Sequence, residues 1–210
     1  MKKLISILLI LCLMLTLAAC GEKDDTSTPS GGVAVPPAND LAENTPKGEE
    51  LSSLPDFFPQ SFLLTTKTNM WSTELKLNSD GSFKGKYLED ANQNIEAHDY
   101  FGGMYMICEF EGKFGDFKKI DEFTYAMKLT ELTPAYAPEE FFTENETLYQ
   151  TAHPVGIDGG DWFYIYLPGK PTEGLDEAFT MWYMWADAIP SSLDRYGLYN
   201  PTSRYAFFAK

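Results

Sequence analysis

Residues 71–87 read WSTELKLNSDGSFKGKY, and this stretch decides the fold class. From Trp71 to Leu77, residues suited to a buried face alternate with polar ones, and the alternation returns from Ser82 to Tyr87. A period of two is typical of half-buried strands. Asp80-Gly81 lies between the two runs, and glycine there supplies the positive φ of a tight turn. The stretch therefore predicts a β-hairpin.

The flanking sequence extends this β pattern. Residues 104–114 and 123–129 alternate again around a turn near 116–122, which predicts a second hairpin. Residues 162–167 are apolar on both faces and predict a central strand, and 204–209 predict a last one. Residues 133–160 are interpreted as irregular. A helix is expected from an N-cap at Thr172 to a stop at Pro190.

About six or seven antiparallel strands joined by consecutive hairpins, with one late α-helix, predict a mainly β fold. We expect an up-and-down meander that closes into a barrel, because closure removes exposed sheet edges.

The hairpin resembles two groups of proteins. Trp71-Ser72-Thr73, followed by an Asp-Gly-Ser-Phe-x-Gly pattern at 80–85, is similar to uncharacterised lipoproteins of Gram-positive bacteria. That resemblance extends over residues 57–210 and implies no function. The strand opening at Trp71 also resembles the small barrels of lipocalins and implies a lipocalin-like sheet. Where lipocalins carry Gly-x-Trp, however, residues 69–71 read NMW.

The first twenty residues predict an export signal. Lys2 and Lys3 precede an uncharged, leucine-rich run that is too short for a membrane span of about 20 residues. The sequence Leu17-Ala18-Ala19-Cys20 resembles the lipobox of bacterial lipoproteins. The resemblance implies cleavage before Cys20 and lipid on its sulfur, which places the protein at the outer face of the cell membrane. The alternative is an ordinary signal peptide that contains a cysteine by coincidence.

Composition divides the chain into three segments. Residues 1–19 form the predicted signal peptide. Residues 20–55 lack aromatic side chains and are rich in polar residues, proline and glycine, which predicts a disordered, lipidated tether. Aromatic residues begin at Phe57, so residues 56–210 are expected to form one β-rich globular domain.

Charge limits the partners. Without Lys2 and Lys3, the processed chain has 14 basic residues against 31 acidic ones, a net charge of −17. Nucleic acid is an unsuitable partner because its binding depends on basic groups. Anionic lipid would also repel the protein surface, which leaves the lipid anchor as the expected membrane contact.

No catalytic constellation stands out, so a non-enzymatic role is expected. His98 and His153 are the two histidines, and neither accompanies a nucleophile signature. Cys108 falls within a strand pattern and is expected to be a buried, inert thiol. Asp158 and Asp161 flank a Gly-Gly turn and leave open a hydrolase that acts on envelope polymers, which would need both carboxylates in one cleft.

The loop after residue 89 partly matches a calcium-binding loop. Oxygen donors occur at alternate positions, namely Asp90, Asn92, Asn94 and Glu96. Ile95 and Phe101 replace the glycine and the glutamate that define an EF-hand loop. The pattern therefore favours a solvated loop over a calcium site, and no other cofactor is expected.

Aromatic residues make up 15% of the chain, and some of them are candidates to line a ligand pocket. The four selected are Trp71, Tyr87, Tyr164 and Trp182. The leading hypothesis is a lipid-anchored β domain that binds a small apolar ligand or an envelope protein. The alternative is a purely protein-interacting module, which should have a filled barrel and an exposed aromatic patch.

Overall fold

The computed structural model describes residues 45–92, 102–186 and 190–210. Within these ranges the chain forms strands and one helix. The elements are β1 (Glu49–Glu50), β2 (Ser61–Thr65), β3 (Trp71–Leu77), β4 (Ser82–Asp90), β5 (Met104–Asp121), β6 (Thr124–Pro134), β7 (Phe141–Glu144), β8 (Thr147–Thr151), β9 (Trp162–Tyr166), α1 (Glu177–Ala186), β10 (Gly197–Asn200) and β11 (Tyr205–Ala209).

Eight strands close into an antiparallel barrel. Around the barrel they follow the order β2-β3-β4-β5-β6-β9-β10-β11, and β11 pairs back onto β2. Each strand therefore lies beside its neighbour in the chain, apart from the excursion that forms β7 and β8. The prediction of a mainly β, up-and-down meander that closes into a barrel with one late helix is confirmed.

The hairpin of residues 71–87 forms as the sequence predicts. Leu77 lies opposite Phe83, and the strands stay in register to Trp71 and Glu89. In the turn, the Asp80 carboxylate accepts hydrogen bonds from the backbone N–H and hydroxyl of Ser82, and these bonds lower the pKa of Asp80. Gly81 has a φ of 84° and accepts a hydrogen bond from the Phe114 N–H. The turn is thus held to the adjacent strand β5.

Apolar side chains fill the barrel interior. Phe83, Phe114 and Phe163 meet there, with ring centroids 4.7 and 4.9 Å apart. Strand register places other fully buried residues on the same inner face. They are Phe62, Leu64, Leu75, Met127, Ile165, Leu198 and Phe207. Interiors of this kind are close-packed, so these side chains leave little room for a ligand among them.

Residues 152–160, here called the plug loop, enter the barrel from one end. The Thr73 hydroxyl donates to the Val155 carbonyl at 2.9 Å, and the buried Asn200 amide donates to the Gly156 carbonyl at 3.1 Å. A Cβ on Gly156 would lie 2.7 Å from the side chains of Leu64 and Phe207. The loop backbone is therefore packed directly against the interior residues.

The helix begins later than the sequence predicts. Asp176, rather than Thr172, is the N-cap, because its carboxylate accepts the N–H of Ala178 at 2.8 Å. The Thr172 hydroxyl instead donates to the Pro190 carbonyl at 2.6 Å. Phe179 packs on the outer face of the barrel, against Tyr166 and its neighbours. Along the described ranges, no helix combines the length and apolar character needed to cross a membrane.

Part of the predicted tether belongs to the folded domain. Glu49–Glu50 pairs with β5, the Leu51 N–H donates to the Phe117 carbonyl, and Leu54 is buried. A boundary at residue 55 is therefore too late, because backbone pairing orders a segment that lacks aromatic residues. Residues 20–44 lie outside the described ranges.

Three further sequence interpretations change. Residues 133–160 are not wholly irregular, since they contain β7 and β8. The second hairpin turns at residues 122–123, between β5 and β6, rather than across 116–122. Strands β2 and β10 are not among the strands predicted from the sequence, and with them the barrel has eight strands.

Candidate functional site

Three of the four aromatic residues selected from the sequence come together at one end of the barrel. The Trp71 ring lies 6.1 Å from that of Tyr87 and 5.9 Å from that of Trp182. Tyr205 completes the cluster, 6.2 Å from Trp71 and 5.3 Å from Trp182. Trp71 is half-buried, whereas Tyr87 and Trp182 are buried. The rings of this cluster thus mainly contact one another.

Polar contacts fix this cluster. The indole N–H of Trp182 donates to the Arg204 carbonyl at 2.8 Å, and the Tyr87 hydroxyl donates to the Glu89 carboxylate. Burial, and then the bond to Glu89, raises the pKa of Tyr87, so its hydroxyl stays protonated. A ligand would have to enter beside Trp71, the most exposed of the three selected residues.

Tyr164 lies elsewhere. Its strand β9 is buried at every position, and Tyr164 shares the outer face with Tyr166, 6.4 Å away. Burial raises the pKa of Tyr164 to about 12. Tyr164 therefore belongs to the buried outer face of β9 rather than to the cluster at Trp71.

The predicted calcium loop is described only at its start. The Asp90 carboxylate accepts the N–H of Asn92 at 3.0 Å, and the Asn92 side-chain carbonyl accepts the N–H of Met104 at 2.8 Å. These bonds join the two ends of the loop. Asn94 and Glu96 lie outside the described residues, as does His98. Within the described ranges, no three acidic, histidine or cysteine side chains form a metal-binding group.

The two carboxylates of the hydrolase alternative have separate side-chain partners. Asp158 lies 3.3 Å from His153, and Asp161 lies 3.6 Å from Lys128. Asp158 also accepts the N–H of Gly159, a bond typical of a turn. These contacts give each of the two carboxylates its own structural partner.

Cys108 is buried, as the sequence predicts, and burial raises the pKa of its thiol to about 11. In protein produced without residues 1–20 it is the sole cysteine. We expect its alkylation by iodoacetamide at pH 8 to be roughly a hundredfold slower in the folded protein than in urea, because the thiolate is the nucleophile. Mass spectrometry over time measures both rates, and equal rates would contradict a buried thiol.

A second aromatic group, missed by the sequence analysis, lines a groove on the outside of the barrel. Tyr105, Tyr149 and Phe142 are cross-strand neighbours on β5, β8 and β7. Their ring centroids are 6.1 Å and 5.1 Å apart, and Tyr136 continues the row 6.1 Å from Phe142. The groove has a volume of about 660 Å³, and Leu88 and Ile107 form part of its floor. We call it the outer aromatic groove.

Part of this groove is open to solvent, whereas the rings of Tyr105 and Tyr149 are half-buried. Tyr136 is 57% exposed, Phe142 37% and Leu88 38%. Contiguous exposed apolar surface of this kind marks interaction sites in soluble domains. Among the charged residues of the groove, Lys86 and Glu109 pair at 3.1 Å, whereas Glu144 lies at the groove with its side chain exposed. The groove therefore combines an aromatic row with the exposed carboxylate of Glu144.

Fold and groove together define the class: a closed, eight-stranded β-barrel domain with a packed interior and an aromatic groove on its outer wall. Comparison with known proteins found no matching family model, curated protein or solved structure.

Proposed function

We propose that this chain is an extracytoplasmic lipoprotein, anchored through Cys20, whose barrel domain binds an envelope partner in the outer aromatic groove. The observation that carries the proposal is the contrast between the two aromatic groups. Large side chains and the plug loop fill the barrel, while Tyr136 and Phe142 in the groove are exposed. Exposed tyrosine and phenylalanine are typical of binding surfaces because they supply large contact areas.

A matched pair of variants tests the role of the groove. Tyr136→Ala with Phe142→Ala removes the two most exposed rings of the groove, and Phe57→Ala with Met70→Ala removes exposed side chains elsewhere, 57% and 42% exposed. We expect the groove variant to retain about a tenth or less of the protein that the unaltered chain captures from solubilised envelopes, since interface aromatics contribute about 2 kcal/mol or more. The control variant should capture as much as the unaltered chain. Equal capture by both variants would contradict the proposal.

The anchor rests on the lipobox at residues 17–20 and needs its own test. Cys20→Ala removes the sulfur that would carry lipid, and two acyl chains give stable anchoring where the protein surface does not. We expect this variant to leave the membrane fraction or to keep its signal segment. Fractionation with metabolic labelling by a fatty acid measures both effects. Membrane association with unchanged labelling would show that lipid is attached elsewhere.

A further inference from the structure

Strand β7 lies at the end of the sheet beyond the barrel. It pairs with β8, which pairs in turn with β5, and among the described residues no strand lies on its other side. Residues 141–146 are exposed at every position. An exposed strand edge presents backbone groups that can pair with another chain.

The pairing pattern identifies the outward backbone groups. Asn145 and Glu146 both have positive φ, at 48° and 64°, which is typical of a two-residue type I′ hairpin. In such a hairpin the two residues that flank the turn, here Glu144 and Thr147, form backbone hydrogen bonds with each other. Because hydrogen-bonded pairs alternate along antiparallel strands, the backbone of Phe142 is also hydrogen-bonded to β8. Consistent with this, the Leu148 N–H donates to Gly103 on the opposite side of β8. The N–H and carbonyl groups of Phe141 and Thr143 therefore point towards the open edge.

The charge along this edge has one sign. Residues 139–150 read EEFFTENETLYQ and contain no lysine or arginine. The glutamates at 139, 140, 144 and 146 are all exposed. A second copy of the chain would bring these carboxylates close to their own counterparts, which disfavours self-pairing. A cationic segment is the complementary occupant.

We infer that β7 binds an extended, basic segment of a partner protein by strand addition, with alternate side chains of that segment entering the outer aromatic groove. The inference rests on the proposed function and specifies the chemistry of the partner. Backbone bonds to Phe141 and Thr143 would supply affinity. Phe142 and Glu144 are two residues apart and so lie on the same face of β7, where they would select an apolar residue and a basic residue two positions apart in the partner segment.

Synthetic peptides test this mode on the complete domain. The probe is a capped peptide in which valine and lysine take turns at every second position, with threonine between them. Its controls are an analogue with glutamate in place of lysine and the same lysine peptide with N-methyl groups on alternate amides. We expect the lysine peptide to bind and to slow amide exchange at Phe141 and Thr143. N-methylation should weaken binding about tenfold or more, because it removes backbone bonds. The glutamate analogue should not bind.

Neutralising the glutamates along β7 separates the contribution of charge from that of backbone pairing. Replacing the four glutamates of residues 139–146 by glutamine should reduce affinity for the lysine peptide and remove most of its salt dependence. The control replaces four exposed acidic residues elsewhere by their amides, namely Asp56, Glu122, Glu173 and Glu177. The inference would be overturned if the lysine peptide did not bind. It would also be overturned if N-methylation of the peptide, or replacement of the four glutamates, left the affinity unchanged. If the groove variant still loses the envelope partner in those cases, the proposed function stands without strand addition.

Discussion

Phe114→Ala is expected to lower the free energy of unfolding by about 3–5 kcal/mol, the usual cost of removing a buried phenylalanine ring. Phe114 is fully buried and contacts the rings of Phe83 and Phe163 inside the barrel. Its loss would leave a cavity that neighbouring strands cannot close, because the barrel fixes their spacing. Urea denaturation followed by tryptophan fluorescence measures the change.

Phe141→Ala is the matched control, since the same atoms are removed from a side chain that is 60% exposed. A change within about 0.5 kcal/mol is expected there, as for most surface substitutions. If both variants lost similar stability, or if Phe114→Ala cost little, the interior would not be packed as described.

Gly81→Ala should also be costly, by about 2–5 kcal/mol, because two penalties coincide. The φ of 84° is unfavourable for any residue with a Cβ, and that Cβ would lie 2.2 Å from the Phe114 carbonyl oxygen. The backbone of β5 would have to move, which would strain the hydrogen bond from the Phe114 N–H to Gly81.

Gly159→Ala measures the cost of a positive φ without a steric clash. Gly159 has a φ of 70°, but a Cβ there would meet no atom within 4 Å. A loss of about 1–2 kcal/mol is expected. The difference in urea-unfolding midpoint between the Gly81→Ala and Gly159→Ala variants then measures the cost of the steric clash at Gly81. Equal losses of stability would mean that the Asp80-Gly81 turn does not lie against β5.

The sequence predicts the barrel because its central signals are local. The alternation through Trp71–Leu77, the Asp80-Gly81 turn and the apolar run at 162–167 each depend on neighbouring residues. The outer aromatic groove depends instead on β8 pairing in parallel with β5, more than 40 positions away in the chain. Strands β7 and β8 are short runs around Asn145-Glu146, whereas Pro134, Pro138, Pro154 and the Gly159-Gly160 pair favour an irregular interpretation of the sequence.

The location of Tyr164 shows a second limit. In a strand buried on both faces, the period of two does not tell which residues face the interior. Phe179 of helix α1 packs on Tyr166 at the outer face of β9, and Tyr164 and Tyr166 are buried just as Phe163 and Ile165 are. Trp71 and Tyr87 lie on half-exposed strands, where alternation does assign the face, and these two residues do meet.

Photocrosslinking in cells tests most directly whether the partner binds outside the barrel. A photoreactive phenylalanine analogue placed at position 136 lies in the outer aromatic groove, and one at position 71 lies in the cluster at the end of the barrel. A discrete crosslinked partner from position 136, and none from position 71, is the expected result. A partner captured from position 71 alone would contradict binding in the groove and return the site to the barrel end.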